Sequence, residues 1–551
     1  MKHKEITRRD FLGKTALAAV AAAGATSVLA AGCGKPKADF DLVIKGGTVY
    51  DGSPSSPRVA DIGVKGDRIK FIGKIDGKGA RTIDAGGLVV TPGFIDVHTH
   101  CDLTFKRLGI KRLMAHVLPS FKGNYNYLYQ GVTTVVTGNC GYGYTDIDEW
   151  SGIHTSAGFG GNAYHLIPHG DLRLELFGQN QPARLDPEQL RALKSKVALE
   201  MEKGAAGFST RLDVPPGSLA STGELIEIAR VVARYGGLYA THMRDESGRR
   251  HTDGGRGVLR AIEEAIEIGR EAGIAVQISH LKIDAPINDL APSIVLELIE
   301  GARKSGLDIT ADQYPYPAAS TDITAIVPRE YLDSAGVIKK YREGNARKEL
   351  KKAIDESFAD LGPDKTLIVW YPDRDEYEGK TLKEIAGTSG REAAECLIDM
   401  ASEKKPPVAI FFSQEIDVVR ELMKPEYVFT ASDGWTIPMG MMKPHPRLYG
   451  TFPRKIRRFA MEEKIVSLNQ AIRSMTSLPA EKFKMKGRGR IAEGCFADIA
   501  VINLNNITDN ATYSDPHRYA SGIEYVLVNG TVALEKGKAT GDRGGRLVPE
   551  V

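Results

Sequence analysis

The sequence contains little cysteine and no pair of the C-x-x-C type. Its 551 residues include five widely spaced cysteines, namely Cys33, Cys101, Cys140, Cys396 and Cys495. This spacing argues against a disulfide scaffold. The formal net charge is only +3 and no long basic run occurs, so the composition gives no support for nucleic acid as a partner. None of the apolar stretches matches the roughly 20 strongly apolar residues that a membrane span needs.

Residues 1–33 have the pattern of an export signal. TRRDFLGK is followed by the Ala-rich stretch TALAAVAAAGATSVLAA, which resembles a twin-arginine signal peptide. The VLAAGC at its end is similar to a lipobox, although Ala30 stands where Leu is usual. We therefore expect export and a lipid anchor on Cys33, with the rest of the protein on the extracytoplasmic side of a membrane. An ordinary cleavage site nearby is the alternative.

A series of short apolar runs with strand character occupies residues 89–434. They are LVVTPGFIDVHTH, TTVVTGNCG, AYHLIPHG, GAAGFSTR, LYATHMR, IAVQISHLK, DITADQYPY and YVFTASDG. Helical patterns separate several of these runs: Asp186 and Gln189 mark one helix start, and Ser221 with Glu224 predicts a capping box at another. Eight strands that alternate with helices predict an α/β fold, a parallel (β/α)8 barrel.

Two parts of the chain do not fit a plain barrel. Residues 40–88 and 485–545 are short strands with Gly turns, and we expect one small β-domain built from both chain ends. The catalytic barrel would then span residues 89–484. Residues 321–427, between the seventh and eighth strands, form a long insertion. Insertions after barrel strands sit over the active-site face, so a lid-like subdomain is predicted there.

Six side chains of metal-binding types lie at the carboxyl ends of the first, second, fifth, sixth and eighth runs. They are His98, His100, Cys140, His242, His280 and Asp433. A lone His or Cys at a strand end is more often structural, but six such groups at the catalytic end of one barrel predict a metal site. Imidazole, thiolate and carboxylate together suit Zn²⁺. The thiolate could bridge two metal sites or complete one.

Six motifs resemble those of the N-acyl-D-amino-acid deacylases (D-aminoacylases), a branch of the amidohydrolase superfamily. They are PGFIDVHTH, GVTTVVTGNCG, YATHMRDE, QISHLK, DQYPY and SDG…HPRLYGTFPR. The resemblance covers nearly the whole chain after residue 33. It implies that Cys140, His242 and His280 hold one zinc tightly, and that His98 and His100 share Cys140 in a second, weaker site.

The resemblance also implies a reaction: zinc-dependent hydrolysis of the amide bond of N-acyl-D-amino acids, which releases a carboxylate and a free D-amino acid. Asp433 would be the general base and then the general acid. Lys282 and Arg447 would bind the free carboxylate of this small-molecule substrate. Tyr314 or Tyr316 would add a hydroxyl, and their i, i+2 spacing predicts that both side chains lie on one face. A structural ion pair is the alternative for Lys282 and for Arg447.

Departures from the family pattern concern the pocket rather than the metal site. Cys101 follows the H-T-H motif where an acidic or polar residue is expected, and Arg211 replaces an expected Gly. The segment 103–130 is longer than expected. Two other functions stay open: another amidohydrolase reaction, on a cyclic amide or a D-configured dipeptide, or a non-catalytic, metal-containing binding lipoprotein. The presence of Asp433 argues against the binding protein, because a mere metal holder needs no general base.

Overall fold

The computed structural model of the chain describes residues 39–548 except 78, 104–105, 107–122, 180, 183, 251–254, 286–289, 333–337 and 339–342. The predicted signal segment and its Cys33 lie outside these residues. The strands in chain order are β1 (Leu42–Val49), β2 (Arg58–Lys65), β3 (Arg68–Gly73), β4 (Arg81–Asp84), β5 (Val89–Pro92), β6 (Phe94–Asp96), β7 (Val132–Thr137), β8 (Asn162–Pro168), β9 (Gly207–Arg211), β10 (Leu238–His242), β11 (Ala275–Ile278), β12 (Ile309–Gln313), β13 (Ala319–Asp322), β14 (Thr366–Trp370), β15 (Val408–Phe411), β16 (Val428–Thr430), β17 (Ile499–Ile502), β18 (Ile523–Val528), β19 (Thr531–Glu535) and β20 (Lys538–Ala539).

Helices fill most of the connections between barrel strands. The α-helices in chain order are α1 (Tyr125–Leu128), α2 (Ile147–Ala157), α3 (His169–Phe177), α4 (Pro187–Glu202), α5 (Thr222–Arg234), α6 (Gly257–Ala272), α7 (Pro292–Lys304), α8 (Gly344–Ser357), α9 (Leu382–Ser389), α10 (Ala393–Ala401), α11 (Ile416–Leu422), α12 (Arg447–Arg454), α13 (Leu468–Ser474) and α14 (Ser477–Lys482). A π-helix, Lys455–Glu462, continues from α12. No helix within the described ranges is long and apolar enough to cross a membrane.

The barrel is formed by β6 to β12 and β16. In the described residues these eight strands are paired in chain order, and every pair is parallel. Two backbone hydrogen bonds close the ring between its first and last strands: Asp433 N donates to His98 O at 2.9 Å, and His100 N donates to Gly434 O at 2.8 Å. Each predicted run supplies one barrel strand, so the barrel prediction is confirmed.

The core lies between the barrel strands and the helices around them. Val232 of α5, Ile262 of α6 and Ile299 of α7 are fully buried in one cluster with Phe208 of β9 and Val276 of β11. Burial of these apolar side chains holds the helices against the barrel wall. Because the apolar contacts lie along the barrel wall, the ends of the strands are available for polar side chains.

Strands from both chain ends form one further sheet, as predicted. Its order is β20-β19-β18-β17-β5-β1-β2-β3, with β4 paired to β1. The predicted boundary at residue 88 is wrong by four residues, because β5 belongs to this sheet and only β6 belongs to the barrel. The change of partner falls at Gly93, whose N donates to Asp498 O, while Phe94 N donates to Gly131 O. A side chain at Gly93 would collide with Thr133.

The insertion after the seventh barrel strand is a small α/β unit. Its antiparallel sheet has the order β13-β15-β14, and α8, α9 and α10 share a core with it. It begins at Ala319, two residues before the predicted start. Several of its residues line the same cavity as the barrel strand ends, among them Thr324, Arg347 and Glu403.

Two predicted helix starts have different outcomes. Asp186 caps α4 in a full capping box with Gln189, as predicted. Ser221 caps α5 by accepting a hydrogen bond from Glu224 N at 3.2 Å, but the Glu224 carboxylate does not complete the predicted box. It instead accepts a 2.6 Å hydrogen bond from the fully buried Arg173. A buried guanidinium needs a counter-ion more than an exposed helix end needs a second cap.

Candidate metal centre

The barrel brings the six predicted ligand residues together at its carboxyl end. They form three overlapping groups, within each of which the donor atoms lie within 4.8 Å of one another: His98–His100–Cys140, Cys140–His242–His280 and His98–His280–Asp433. We call the second of these the thiolate group. Five of the six residues, all except His98, line one cavity of about 1530 Å³.

Three of the six residues have a left-handed backbone. The φ angle is 52° at Cys140, 35° at His280 and 49° at Asp433. Side-chain-bearing residues adopt this region rarely, and such strain is concentrated at functional sites. Neighbouring hydrogen bonds hold two of these turns: His280 N donates to Asp312 Oδ1 at 2.8 Å, and Asp433 N donates to the His98 carbonyl at 2.9 Å.

The Cys140 thiol is the common member of two groups. Its Sγ lies 3.2 Å from His98 Nε2, 3.5 Å from His280 Nε2 and 3.8 Å from His242 Nδ1. Burial alone would raise the pKa of Cys140, but His98 and His280 beside it lower that pKa well below its ordinary value. The thiolate is therefore the favoured form, and a thiolate is the form that binds metals.

Carboxylates face the outward nitrogens of two of the imidazoles that surround the thiol. His98 Nδ1 lies 3.3 Å from Asp312 Oδ1, and His280 Nδ1 lies 3.1 Å from Glu246 Oε1. A carboxylate behind a metal-binding imidazole fixes the orientation and the tautomer of the ring. Sequence reasoning missed these partners, although Asp312 is the last residue but one of barrel strand β12 and is therefore at a position where a site residue can be expected.

His242 has two acidic neighbours that the sequence did not reveal. Its Nε2 lies 3.3 Å from Glu246 Oε2 and 3.5 Å from Asp213 Oδ2. Burial would lower the pKa of His242, but Asp213 and Glu246 raise it to about 10. The surroundings therefore favour positive charge at this ring, whether as a proton or as a bound cation.

Asp433 links the histidines to a buried arginine. Its Oδ1 lies 3.1 Å from His100 Nε2, and its Oδ2 lies 3.0 Å from Arg447 Nη1. Burial would raise the pKa of Asp433, but Arg447 and the neighbouring histidines lower it well below its ordinary value. Asp433 is thus ionised, as a group that accepts a proton must be.

The four predicted substrate residues have different surroundings. Lys282 and Arg447 line the cavity, and Lys282 is ion-paired with Glu246. Tyr314 also lines it, under the Arg447 guanidinium, whose Cζ is 4.6 Å from the ring centroid. Tyr316 is instead buried beneath Arg454, 4.6 Å from that guanidinium.

The prediction that Tyr314 and Tyr316 share one face is wrong. The strand β12 ends at Gln313, and Tyr316 N donates to Tyr314 O in a tight turn. The two-residue alternation of side chains applies only within a strand, so it does not extend across this turn.

Two of the three departures from the family pattern, Cys101 and Arg211, differ in position; most of the third, the segment 103–130, lies outside the described residues. Cys101 is buried with its Sγ 3.5 Å from Thr99 Oγ1, outside the three groups. Arg211 lines the cavity and is held by Asp213 through contacts of 2.8 and 3.1 Å. Its Nη2 also donates to Thr321 Oγ1 at 3.1 Å, which joins the barrel to the insertion.

A closed parallel barrel with imidazole, thiolate and carboxylate groups at its carboxyl end is the architecture of a metal-dependent amidohydrolase. Residues 342–534 match the sequence model of the amidohydrolase family. Two relatives are from Alcaligenes xylosoxydans xylosoxydans. A D-aminoacylase is 33% identical over 92% of this chain and 97% of its own length, and an N-acyl-D-glutamate deacylase is 32% identical over 92% and 96%.

A solved structure gives the same result. The N-acyl-D-glutamate deacylase from Bordetella bronchiseptica, complexed with zinc and a phosphonate mimic of the tetrahedral intermediate, matches with a TM-score of 0.78 and 29% identity. The match covers 92% of this chain and 99% of that one. The chain belongs to the D-aminoacylase family of the amidohydrolase superfamily.

Proposed function

We propose that this protein hydrolyses the amide bond of N-acyl-D-amino acids and releases a carboxylate and a free D-amino acid. The observation that carries the proposal is Asp433, an ionised carboxylate in contact with His100 of the candidate metal centre on one side and with Arg447 on the other. A proton acceptor, a metal-type donor set and a cation for an anionic substrate thus meet in one cavity.

The chemistry of the donor set fits zinc. We assign Cys140, His242 and His280 to a tight site, and His98 and His100, which share the thiolate, to a weaker second site. Thiolate and imidazole are the usual zinc ligands, and neighbouring carboxylates support them. When bound, zinc lowers the pKa of water towards 7 and polarises a carbonyl oxygen.

The chain itself supplies proton transfer and orientation. Asp433 accepts a proton from the attacking water and then donates it to the leaving nitrogen; one carboxylate does both because the transfers occur in sequence. Lys282 and Arg447 hold the α-carboxylate, and Arg447 can do so through two parallel hydrogen bonds. These contacts bring the scissile amide to Asp433.

Contacts to two separate groups of the substrate also explain selectivity for one enantiomer. Once the protein holds the amide and the α-carboxylate of the substrate, the substrate side chain can point in only one direction. The opposite enantiomer would meet the wall or lose its carboxylate contacts. The geometry of the site alone does not determine which enantiomer is preferred. The relatives described above are named for D-amino acids, and on that basis we assign the D configuration.

A panel of substrate classes tests this function. The purified protein, loaded with zinc, should release free amine from N-acetyl-D-amino acids and leave a hydantoin and a D-configured dipeptide intact. Preferred turnover of the hydantoin or the dipeptide would replace the proposed reaction by another amidohydrolase reaction. Tight zinc binding without turnover of any substrate would indicate a binding protein.

We also propose that the protein is an extracytoplasmic lipoprotein anchored through Cys33. The TRRDF and LAAGC motifs support this, because together they resemble a twin-arginine signal and a lipobox. Bacterial lipoprotein processing would supply more than one acyl chain, as stable anchoring requires. Wild-type protein should sediment with membranes and carry the mass of a lipid. Equal membrane recovery of Cys33→Ser, with no lipid mass in either protein, would refute the anchor.

We propose, finally, that the insertion covers the cavity as a mobile lid. Its residues line the cavity, and the Arg211–Thr321 hydrogen bond joins it to the barrel. A lid would exclude water from the reacting groups. Hydrogen exchange over residues 344–401 should slow when a phosphonate analogue of an N-acyl-D-amino acid binds. Protection equal to that of the barrel, unchanged by the ligand, would show that the insertion is a fixed wall.

A further inference from the structure

One carboxylate outside the predicted site contacts three of its members. Glu246 follows β10 by four residues and is buried, with 9% of its surface exposed. Its Oε2 lies 3.3 Å from His242 Nε2, and its Oε1 lies 3.1 Å from His280 Nδ1. The same carboxylate forms an ion pair with Lys282. Both imidazoles of the thiolate group and the predicted substrate lysine thus converge on Glu246.

The Nδ1 atom of His280 has two neighbours of opposite chemistry. Glu246 Oε1 lies 3.1 Å from it and Lys282 Nζ lies 3.0 Å from it. An ammonium group only donates, so a hydrogen bond from Lys282 requires an Nδ1 without a proton and leaves the ring proton on Nε2. A carboxylate only accepts, so it requires the proton on Nδ1 and leaves the Nε2 lone pair free.

This choice matters because His280 Nε2 is the atom that faces the thiol. It lies 3.5 Å from Cys140 Sγ, and His242 Nδ1 lies 3.8 Å from the same sulfur. A neutral imidazole binds a metal only through its unprotonated nitrogen. With the proton on Nε2, His280 would present an N–H to the thiolate group instead of a ligand.

We propose that Glu246 is a positioning residue that sets the tautomer of His280 and thereby makes the thiolate group competent for zinc. It neutralises the Lys282 ammonium and accepts the Nδ1 proton of His280. It orients His242 in the same way, because that ring also turns its outward nitrogen to Glu246. The inference rests on the zinc site of the proposed function but not on the reaction.

A second carboxylate near the site provides the matched control. Asp213 Oδ2 lies 3.5 Å from His242 Nε2, but Asp213 is held by two contacts from the Arg211 side chain. It contacts neither His280 nor Lys282 through any described ion pair or hydrogen bond. Neutralising Asp213 therefore removes an acidic neighbour of His242 but does not change which nitrogen of His280 carries the proton.

Zinc affinity measured by competition with a chromogenic chelator tests the proposal without substrate. Glu246→Gln should bind zinc about 10–100-fold more weakly than wild type, the usual effect of losing an outer partner of a ligand. Asp213→Asn and Lys282→Met should stay within a few-fold of wild type. The double variant Glu246→Gln/Lys282→Met should regain a large part of the loss, because no ammonium then competes for Nδ1.

The rescue separates tautomer control from a merely structural role, since deleting a second buried side chain would otherwise weaken the site further. Wild-type zinc affinity in Glu246→Gln, or a double variant as weak as the single one, would overturn the proposal. If Glu246→Gln does not fold, Glu246→Asp, one methylene shorter, replaces it in the same series with the same expected ranking. If Glu246→Gln binds zinc more weakly as expected but wild-type protein does not hydrolyse N-acyl-D-amino acids, the proposed function is refuted and the role of Glu246 in zinc binding stands.

Discussion

Asp433 and Arg447 form a buried ion pair beside the candidate metal centre, with Oδ2 and Nη1 3.0 Å apart. The other carboxylate oxygen of Asp433 lies 3.1 Å from His100 Nε2. The pair thus keeps the carboxylate ionised and directs one oxygen towards the histidines. The same arginine points into the cavity, where an anionic substrate group would meet it.

Removing this carboxylate should slow turnover strongly and leave the thiolate group intact. Asp433→Asn keeps the shape of the side chain but cannot accept the proton of the attacking water. We expect kcat to fall by about 10²–10⁴-fold, the usual contribution of general acid–base catalysis, while tight zinc is retained. Steady-state kinetics with elemental analysis of the same samples measures both. A variant with more than a tenth of the wild-type kcat would exclude Asp433 as the base.

Two buried cysteines of the barrel allow a matched test of the thiolate. Cys140→Ala should lose the tight zinc, because it removes the donor shared by two ligand groups. Cys101→Ala should keep it, since Cys101 contacts Thr99 outside those groups. Zinc content after dialysis, measured by mass spectrometry, distinguishes the two. Full zinc in Cys140→Ala would refute the role of the thiol, and zinc affinity in wild type should fall at acid pH as the ligands take up protons.

Lys282 should contribute to binding of the substrate carboxylate. Loss of one hydrogen bond to a charged group costs about 1.5–3 kcal/mol, so Lys282→Met should raise KM for an N-acetyl-D-amino acid by roughly 10–100-fold. The corresponding carboxamide lacks the charge and should show nearly the same KM with wild type and variant. An unchanged KM for the acid would leave Lys282 as a partner of Glu246 only.

A buried lysine outside the site should make stability depend on pH. Lys455, at the start of the π-helix, is 4% exposed, and burial lowers its pKa from 10.5 to about 7. Between these values the unfolded chain binds more protons than the folded one. The free energy of unfolding contributed by Lys455 therefore increases as the pH rises from about 7 to 10.5, and the full penalty is present below about 7.

Lys455→Met should remove this dependence and stabilise the protein most at low pH. Urea unfolding at several values between pH 6 and pH 10 measures the effect. The exposed Lys486 provides the control, because Lys486→Met should leave the pH profile as it is in wild type. Parallel profiles for wild type and Lys455→Met would show that Lys455 is not held neutral in the fold.

The barrel and the ligand residues could be predicted because both follow local rules. Apolar strand runs alternate with helices, and ligand-type residues at the ends of parallel strands necessarily meet at one end of the barrel. The exception at Gly93 is informative. Whether Val89–Pro92 joins the barrel or the other sheet depends on pairing with β17, about four hundred residues away, which no local pattern contains.

The supporting carboxylates could not be predicted for a similar reason. Glu246, Asp213 and Asp312 occur in loops or at a strand end, where acidic residues are common and most are simply solvated. Only the folded chain brings Glu246 to His280, which follows the next barrel strand, β11, by two residues. The prediction for Tyr316 was wrong for a different reason, because the two-residue alternation of side chains was extended beyond Gln313, where strand β12 ends.

The central claim is tested most directly by turnover of paired N-acetyl-D- and N-acetyl-L-amino acids, measured before and after zinc removal and after zinc is restored. The account predicts hydrolysis of the D enantiomer about a hundredfold or more faster than that of the L enantiomer, because the wrong hand sacrifices at least one charged contact. It also predicts that activity is lost with the metal and regained with zinc. Equal rates for the two enantiomers, an L preference, or full activity without metal would contradict it.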